Sequence, residues 1–317
     1  MSSAILRFLG AAVAAFSYFA AGTLSAGNPG CPDFTERGPL DPWNLRVIVV
    51  EQPERLADAL RAVRTLGANT LSTHSAPDAA TAAQARAAGV HYIAYMTTRE
   101  VERVAADPAA RDRLASVPDV SGIYYEDDET VEGYTTPEDQ RRTYETLKEI
   151  FPGALVLHPT RLDPIASDPG YLDAVYRPEY TDAVTPYFYP VGTTVLGTAA
   201  EEDSWQPRLE FLLSEIARRT PGDVPVLPVL QAFEQDGFPV DAAFLAKQFE
   251  VYARVWPGNG NAAAYAWGSS AEDAPLVGFA FRPRVREGVR TLFRRLARRE
   301  CGRPEDRETG RRTLRAV

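Results

Sequence analysis

The stretch Leu45-Arg-Val-Ile-Val-Val-Glu-Gln-Pro-Glu-Arg-Leu-Ala-Asp-Ala-Leu-Arg-Ala-Val-Arg-Thr-Leu-Gly67 changes its hydrophobic period halfway along. Residues 45–51 are an almost unbroken apolar run rich in β-branched side chains, the pattern of a strand buried on both faces. Pro53 then suits the first turn of a helix. Leu56, Leu60, Val63 and Leu66 fall on one side of that helix, and Gly67 stops it. A doubly buried strand followed by an amphipathic helix is the repeating unit of a parallel sheet.

The unit recurs along the chain. Further strands are expected at 69–74, 91–97, 122–128, 154–159, 183–189, 224–233 and 261–268. An Ala-rich helix runs to Gly89. Thr136-Pro137 opens a helix that turns Tyr144, Leu147 and Ile150 inward. The last helix carries Val285, Val289, Leu292, Phe293 and Leu296. Eight such units within residues 45–299 predict an α/β fold, a single-domain (β/α)8 TIM barrel. The rival is a doubly wound sheet, which would carry a Gly-rich loop after its first strand. Glu51-Gln52-Pro53 stands there instead.

The flanks read differently. In residues 1–26, Arg7 precedes an uncharged apolar run, Phe8 to Leu24, and Ser25-Ala26-Gly27 offers a cleavage site. This is the pattern of a secretory signal peptide, with an uncleaved membrane anchor as the alternative. Residues 27–44 form an N-terminal extension, and 300–317 a charged tail expected to be disordered. The expected location is therefore secreted or extracytoplasmic, with no stable membrane insertion once the signal is removed. Cys31 and Cys301, the two cysteines, bracket the barrel. A disulfide between them is expected, since export permits oxidation and closure of a barrel brings the chain ends together.

Of 317 residues, 45% are hydrophobic and 24% charged, ample apolar surface for a folded core. With 34 Lys+Arg against 43 Asp+Glu, the net charge of −9 excludes nucleic acid as a partner unless a local basic patch exists. Lys148 and Lys247 are the two lysines, which leaves little scope for Schiff-base chemistry.

In a barrel, chemistry gathers at the C-terminal ends of the strands. His91 begins its strand and reads as structural, whereas His74 and His158 end theirs and are candidates for substrate binding. Glu126-Asp-Asp-Glu129 directly follows the apolar Gly122-Ile-Tyr-Tyr125. Four adjacent carboxylates cannot all ionise cheaply, so repulsion raises the proton affinity of at least one, which suits a general acid. Asp127 and Asp128 are the catalytic candidates and Glu126 a binding one. Which of them points into the pocket depends on how the strand ends. The alternative is a solvated acidic turn capping the next helix.

The seventh strand ends in Gln231-Ala-Phe-Glu-Gln-Asp236, across the mouth from the fourth. Glu234 is the candidate second carboxylate of a pair flanking a glycosidic bond, with Gln231 as the other residue able to face inward. Tyr124, Tyr125, Tyr187, Tyr189, Phe233, Tyr265 and Trp267 fall near strand ends. Flat rings there stack on sugar faces. Tyr124, Tyr187 and above all Trp267 are assigned to substrate binding.

Gly122-Ile-Tyr-Tyr-Glu-Asp-Asp-Glu129 resembles the fourth-strand segment of glycoside-hydrolase-type TIM barrels, and 184–190, 228–233 and 264–269 resemble their later strands. The likeness covers residues 45–295 as a pattern and implies hydrolysis of an O-glycosyl bond in a polysaccharide or oligosaccharide. By it, Asp127 and Asp128 occupy the Asp-Glu pair, with Asp in place of Glu at the second position; the Asn-Glu pair of many retaining members is absent. No cofactor and no metal are expected, since zinc spacing and an EF-hand loop are missing, and the lack of a G-x-S-x-G elbow argues against a serine nucleophile. Two rivals remain: a non-catalytic carbohydrate- or partner-binding barrel, and a metal-dependent hydrolase for which Glu51 and His74 are the early-strand ligands available. A monomer is expected.

Overall fold

In the computed structural model the first strand, β1 (Arg46–Val50), lies between β2 (Thr70–Thr73) and the last barrel strand, β9 (Ala262–Trp267), parallel to both. Between them run β3 (His91–Thr97), β4 (Val120–Glu126), β5 (Leu155–Arg161), β6 (Ala183–Tyr187) and β7 (Val229–Gln231). These eight strands form a closed parallel barrel in the order β1-β2-β3-β4-β5-β6-β7-β9. The structure describes residues 40–126, 136–161, 171–190, 205–235, 238–268 and 276–300. All of these belong to one compact unit. The fold is the (β/α)8 barrel expected from the periodicity.

Strand side chains alternate, so each strand serves two cores. Val47, Val49, Ile93, Leu157, Ala183, Val229 and Ala263 fill the barrel interior. Ile48, Val50, Ile123, Tyr125, Val156, Val184, Leu230 and Ala264 face the surrounding helices. Helix α1 (Leu56–Leu66) buries Leu56, Ala59, Val63 and Leu66 against that outer face. It ends at Gly67, whose φ of 80° is left-handed and disfavours a side chain. Around the barrel follow α2 (Ala79–Ala87), α3 (Thr98–Ala106), α4 (Pro108–Ala115), α5 (Pro137–Ile150), α6 (Tyr171–Val175), α7 (Trp205–Ala217), α8 (Ala242–Val255) and α9 (Pro283–Glu300). Their starts are set locally. Asp78 and Asp241 accept from the backbone of Thr81 and Phe244, and Thr97–Glu100 and Thr136–Asp139 form reciprocal capping boxes. Gly288 lets α9 approach α8 closely, for a Cβ there would lie 2.8 Å from Ala242 Cα.

The structure departs from the expected elements at residues 224–233. Pro225 and Pro228 cannot donate to a ladder, and regular pairing is confined to Val229–Gln231. Beyond Ala232 the chain leaves the barrel as β8 (Phe233–Gln235), which pairs antiparallel with β10 (Leu276–Gly278) at the rim. The expected strand over 154–159 also continues to Arg161, so His158 sits in mid-strand. Cys31, Cys301, the apolar run at 8–24 and the tail after Glu300 lie outside the described residues. Among the described residues no helix is long and apolar enough to cross a membrane.

Polar side chains close the floor of the barrel. Asn261 is fully buried; its Oδ1 accepts from Leu45 N at 2.7 Å, and its Nδ2 donates to Pro42 O at 2.8 Å and Val226 O at 3.0 Å. One amide thus ties together the chain entering β1, β7 and β9. Asn69 does the same between β1 and β2, accepting from Arg46 N and donating to Asn44 O. Replacing Asn261 by Ala orphans a buried N–H and two carbonyls. The expected loss is about 2–4 kcal/mol, or roughly 4–8 °C in Tm for a chain of this size. Thermal unfolding of Asn261→Ala checks it; an unchanged Tm would show that the floor does not need the clasp.

Candidate functional site

At the C-terminal mouth the strands leave a cavity of about 390 Å³. Its floor is Val47, Val49, Ile93, Leu157, Leu227, Val229 and Ala263. Its wall is Glu51, Ser72, His74, Tyr124, Tyr187, Tyr189 and Tyr265. Each wall residue lies near the C-terminal end of a strand or just past it, as the fold requires. Glu51 follows the last residue of β1, His74 that of β2, and Tyr187 closes β6.

The rings form a continuous arc. Tyr124 stacks near Tyr95 at 6.1 Å and Tyr95 on His74 at 5.1 Å; His74 meets Tyr265 at 5.6 Å, Tyr265 stacks on Tyr189 at 5.5 Å, and Tyr189 meets Tyr187 at 5.7 Å. Phe233 presents its ring at a steep angle to both Tyr189 and Tyr265, bracing them from behind. Such packing holds each ring in one orientation, so the wall is formed before a ligand arrives. At the foot of the arc the Tyr265 phenol donates to Glu51 Oε1. Glu51 makes no ion pair with any described residue, and it is the one carboxylate among the described lining residues.

The sequence-derived candidates divide. His74, Tyr124 and Tyr187 are in the wall. His158 is not: Leu157 faces the interior, so its neighbour turns outward and packs on Tyr125 at 4.8 Å. Burial drives the His158 pKa down to about 4, which keeps the ring neutral. Tyr125, its partner, is fully buried, and desolvation drives its phenol pKa strongly upward.

Trp267 also leaves the mouth. The β1–β9 register shifts between Ile48 and Val50, which turns Trp267 into the outer core, edge-on to Phe279 at 5.2 Å. Its Nε1 is buried there, with no hydrogen-bond partner among the described residues. Gln231 is fully buried and lies outside the pocket lining. Its backbone exchanges two hydrogen bonds with the Gln248 side chain, and its own Nε2 reaches Phe233 O at 3.4 Å. Glu234 lies on the β8–β10 ribbon, where Arg282 Nε holds its carboxylate at 2.5 Å, again outside the lining. Glu126 ends β4 in register with Thr97. Asp127 and Asp128 lie outside the described residues. His91 opens β3, with Nδ1 3.2 Å from Ser121 Oγ, a structural placement.

Glu51 is a site residue that the sequence points to only weakly, as an early-strand metal ligand of a rival reading. Its position one residue past an apolar strand carries the same signal that singled out the run at 126–129, without the company of other carboxylates. Among the described residues no group of three His, Cys, Asp or Glu side chains is gathered closely enough to hold a metal ion.

No family model matches the chain, and no curated protein matches it. Solved structures do. A β-glucuronidase from Faecalibacterium prausnitzii superposes with a TM-score of 0.56 at 14% identity, covering 80% of this chain and 49% of that one. A β-D-glucuronidase of Dictyoglomus thermophilum gives a TM-score of 0.56 at 12% identity over 79% and 50%. A GH2 β-galacturonidase from Eisenbergiella tayi, bound to glycerol, gives 0.52 at 12% over 79% and 50%. The chain spans about half the length of these neighbours. The resemblance to glycoside-hydrolase barrels therefore holds, as one of fold.

His158 makes acid stability testable. Its pKa is about 4 in the folded protein and about 6.5 when unfolded. Only the unfolded chain takes up this proton as pH falls from 6.5 to 4, so the native state loses stability across that window and is unaffected above it. Allowing for partial exposure of the ring, the loss is about 1–3 kcal/mol. Chemical denaturation at pH 7 and pH 4 should show a smaller acid loss in His158→Phe than in wild type. Equal losses in the two proteins would exclude this histidine as the cause.

Proposed function

We propose that this barrel is an exported glycoside hydrolase that cleaves a polysaccharide or oligosaccharide seated in the mouth cavity. The observation that carries this reading is the preformed aromatic arc above an apolar floor, with hydroxyls and a carboxylate set among the rings. Ring faces suit the C–H faces of a pyranose, and the phenols, Ser72 and Glu51 supply directional hydrogen bonds to its hydroxyls. The fold neighbours named for glucuronides and galacturonides support a carbohydrate ligand; their particular sugars are not carried over. Export rests on the apolar run at residues 8–24 and the small residues that follow.

The acid belongs to the run that leaves β4 immediately after Tyr124 and Tyr125, with Asp127 or Asp128 protonating the leaving oxygen. In an inverting enzyme a second carboxylate activates water; in a retaining one it attacks the anomeric carbon. Glu234 remains the candidate for that part, and it must then exchange its Arg282 partner for substrate or water. That ion pair favours a second reading, in which the barrel binds glycan without cleaving it.

Release of reducing ends from a panel of polysaccharides separates the two. Under the hydrolase reading, Asp127→Asn or Asp128→Asn lowers the rate by at least about a hundredfold, the usual contribution of a general acid. The Tm should move by less than roughly 2 °C, since an amide of the same shape replaces the carboxyl group. Glu234→Gln lowers the rate as well if this carboxylate completes the pair. Wild-type rates in both aspartate variants would refute the acid assignment. Glycan binding without turnover by the wild-type protein would establish the binding barrel instead.

A further inference from the structure

The electrostatics of the cavity go further than its shape. Glu51 places a carboxylate at the end of β1 in a pocket whose floor is aliphatic. Elsewhere among the described residues carboxylates commonly sit against arginine: Glu234 on Arg282, Glu149 on Arg111, Glu210 on Arg254, and Asp119 on Arg86. Among these residues Glu51 has no such partner. Its hydrogen bond comes from the neutral Tyr265 phenol, which holds the carboxylate in place without cancelling its charge.

The tyrosine rings around it add potential of the same sign. Tyr265 and Tyr189 stack at an interplanar angle of 17°. Aromatic faces carry the negative end of a quadrupole and attract cations. A partly desolvated carboxylate beside them strengthens that attraction, because the low dielectric screens it poorly. The same charge repels a carboxylate-bearing ligand and offers a neutral one hydrogen bonds alone.

We infer that the cavity is a cation-selecting site, with Glu51 as the specificity-determining residue, and that its preferred ligand is an amino sugar bearing a free ammonium. The inference rests on the sugar-binding reading of the pocket and narrows it. The ammonium donates to Glu51 while the sugar ring lies along the aromatic wall. N-acetylated, neutral and uronic-acid sugars lack the charge that Glu51 selects. Tyr265 is a positioning residue that aims the carboxylate.

Calorimetry on the full chain at pH 6, where free amino sugars are largely protonated, tests this with four probes. They are a de-N-acetylated glucosamine oligomer, its fully N-acetylated counterpart, an oligogalacturonate, and tetramethylammonium chloride. The expected result is binding of the glucosamine oligomer at least about tenfold tighter than the other two glycans, the gain of one charge-assisted hydrogen bond. Glu51→Gln should reduce that preference to within about twofold at an unchanged Tm. Tyr265→Phe should weaken binding and keep the preference, since the charge remains. Glu51-dependent binding of tetramethylammonium with no binding of any glycan would support the cation site and sink the sugar reading. Equal or tighter binding of the N-acetylated or uronate oligomer would overturn the inference and leave the sugar reading standing. Should Glu51→Gln keep the full preference, Glu51 is not the selecting residue and the inference fails.

Discussion

Closure of the barrel between β1 and β9 is the constraint on which everything else rests. Eight parallel strands become a single object only when the first finds the last, and the sequence separates their residues by more than two hundred positions. Ile48 pairs with Ala264, and Ala262 N donates to Leu45 O. Asn261 then satisfies polar groups from three chain segments at the floor. A buried amide with these bonds made fixes register; with them unmade it would destabilise the floor, so it favours one closed arrangement over slipped ones.

Closure also creates the site. Glu51 stands at the end of β1 and Tyr265 near the end of β9, and they touch only because these strands are neighbours. The contact links the two ends of the barrel chain at the mouth, as the asparagine does at the floor. His74 on the other side of Glu51 joins the same aromatic arc through β2. Every barrel strand contributes to the pocket lining, and the Glu51–Tyr265 contact marks the place where the first strand meets the last.

Rigidity and chemistry are divided between different carboxylates. Glu234 is held by Arg282 on a two-stranded ribbon at the rim, a neutralised pair of modest energetic weight at a partly exposed position. Glu51 has no arginine against it among the described residues and takes its hydrogen bond from a phenol. This contrast makes the charge of the pocket, more than its volume, the feature that distinguishes possible ligands. Fold likeness at 12–14% identity says nothing about that charge.

The sequence by itself determined the barrel. Doubly buried strands alternating with one-faced helices leave few ways to cover every apolar surface, and local signals such as Gly67, Thr136 and Pro137 set the helix ends. It also determined that His74, Tyr124 and Tyr187 lie at the mouth, because position along a strand is a local property. The tertiary structure alone decided which way the remaining side chains turn. His158 faces outward because Leu157 faces inward, and β5 runs three residues past it. Trp267 faces outward because the β1–β9 register shifts just before it. Glu234 leaves the mouth because the chain after Ala232 pairs with Leu276–Gly278 in a ribbon of its own. Glu51 gains its meaning from Tyr265, a residue 214 positions away. A one-residue change of parity moves a side chain from the pocket to the outer core, and parity depends on strand pairing, which the local sequence does not encode.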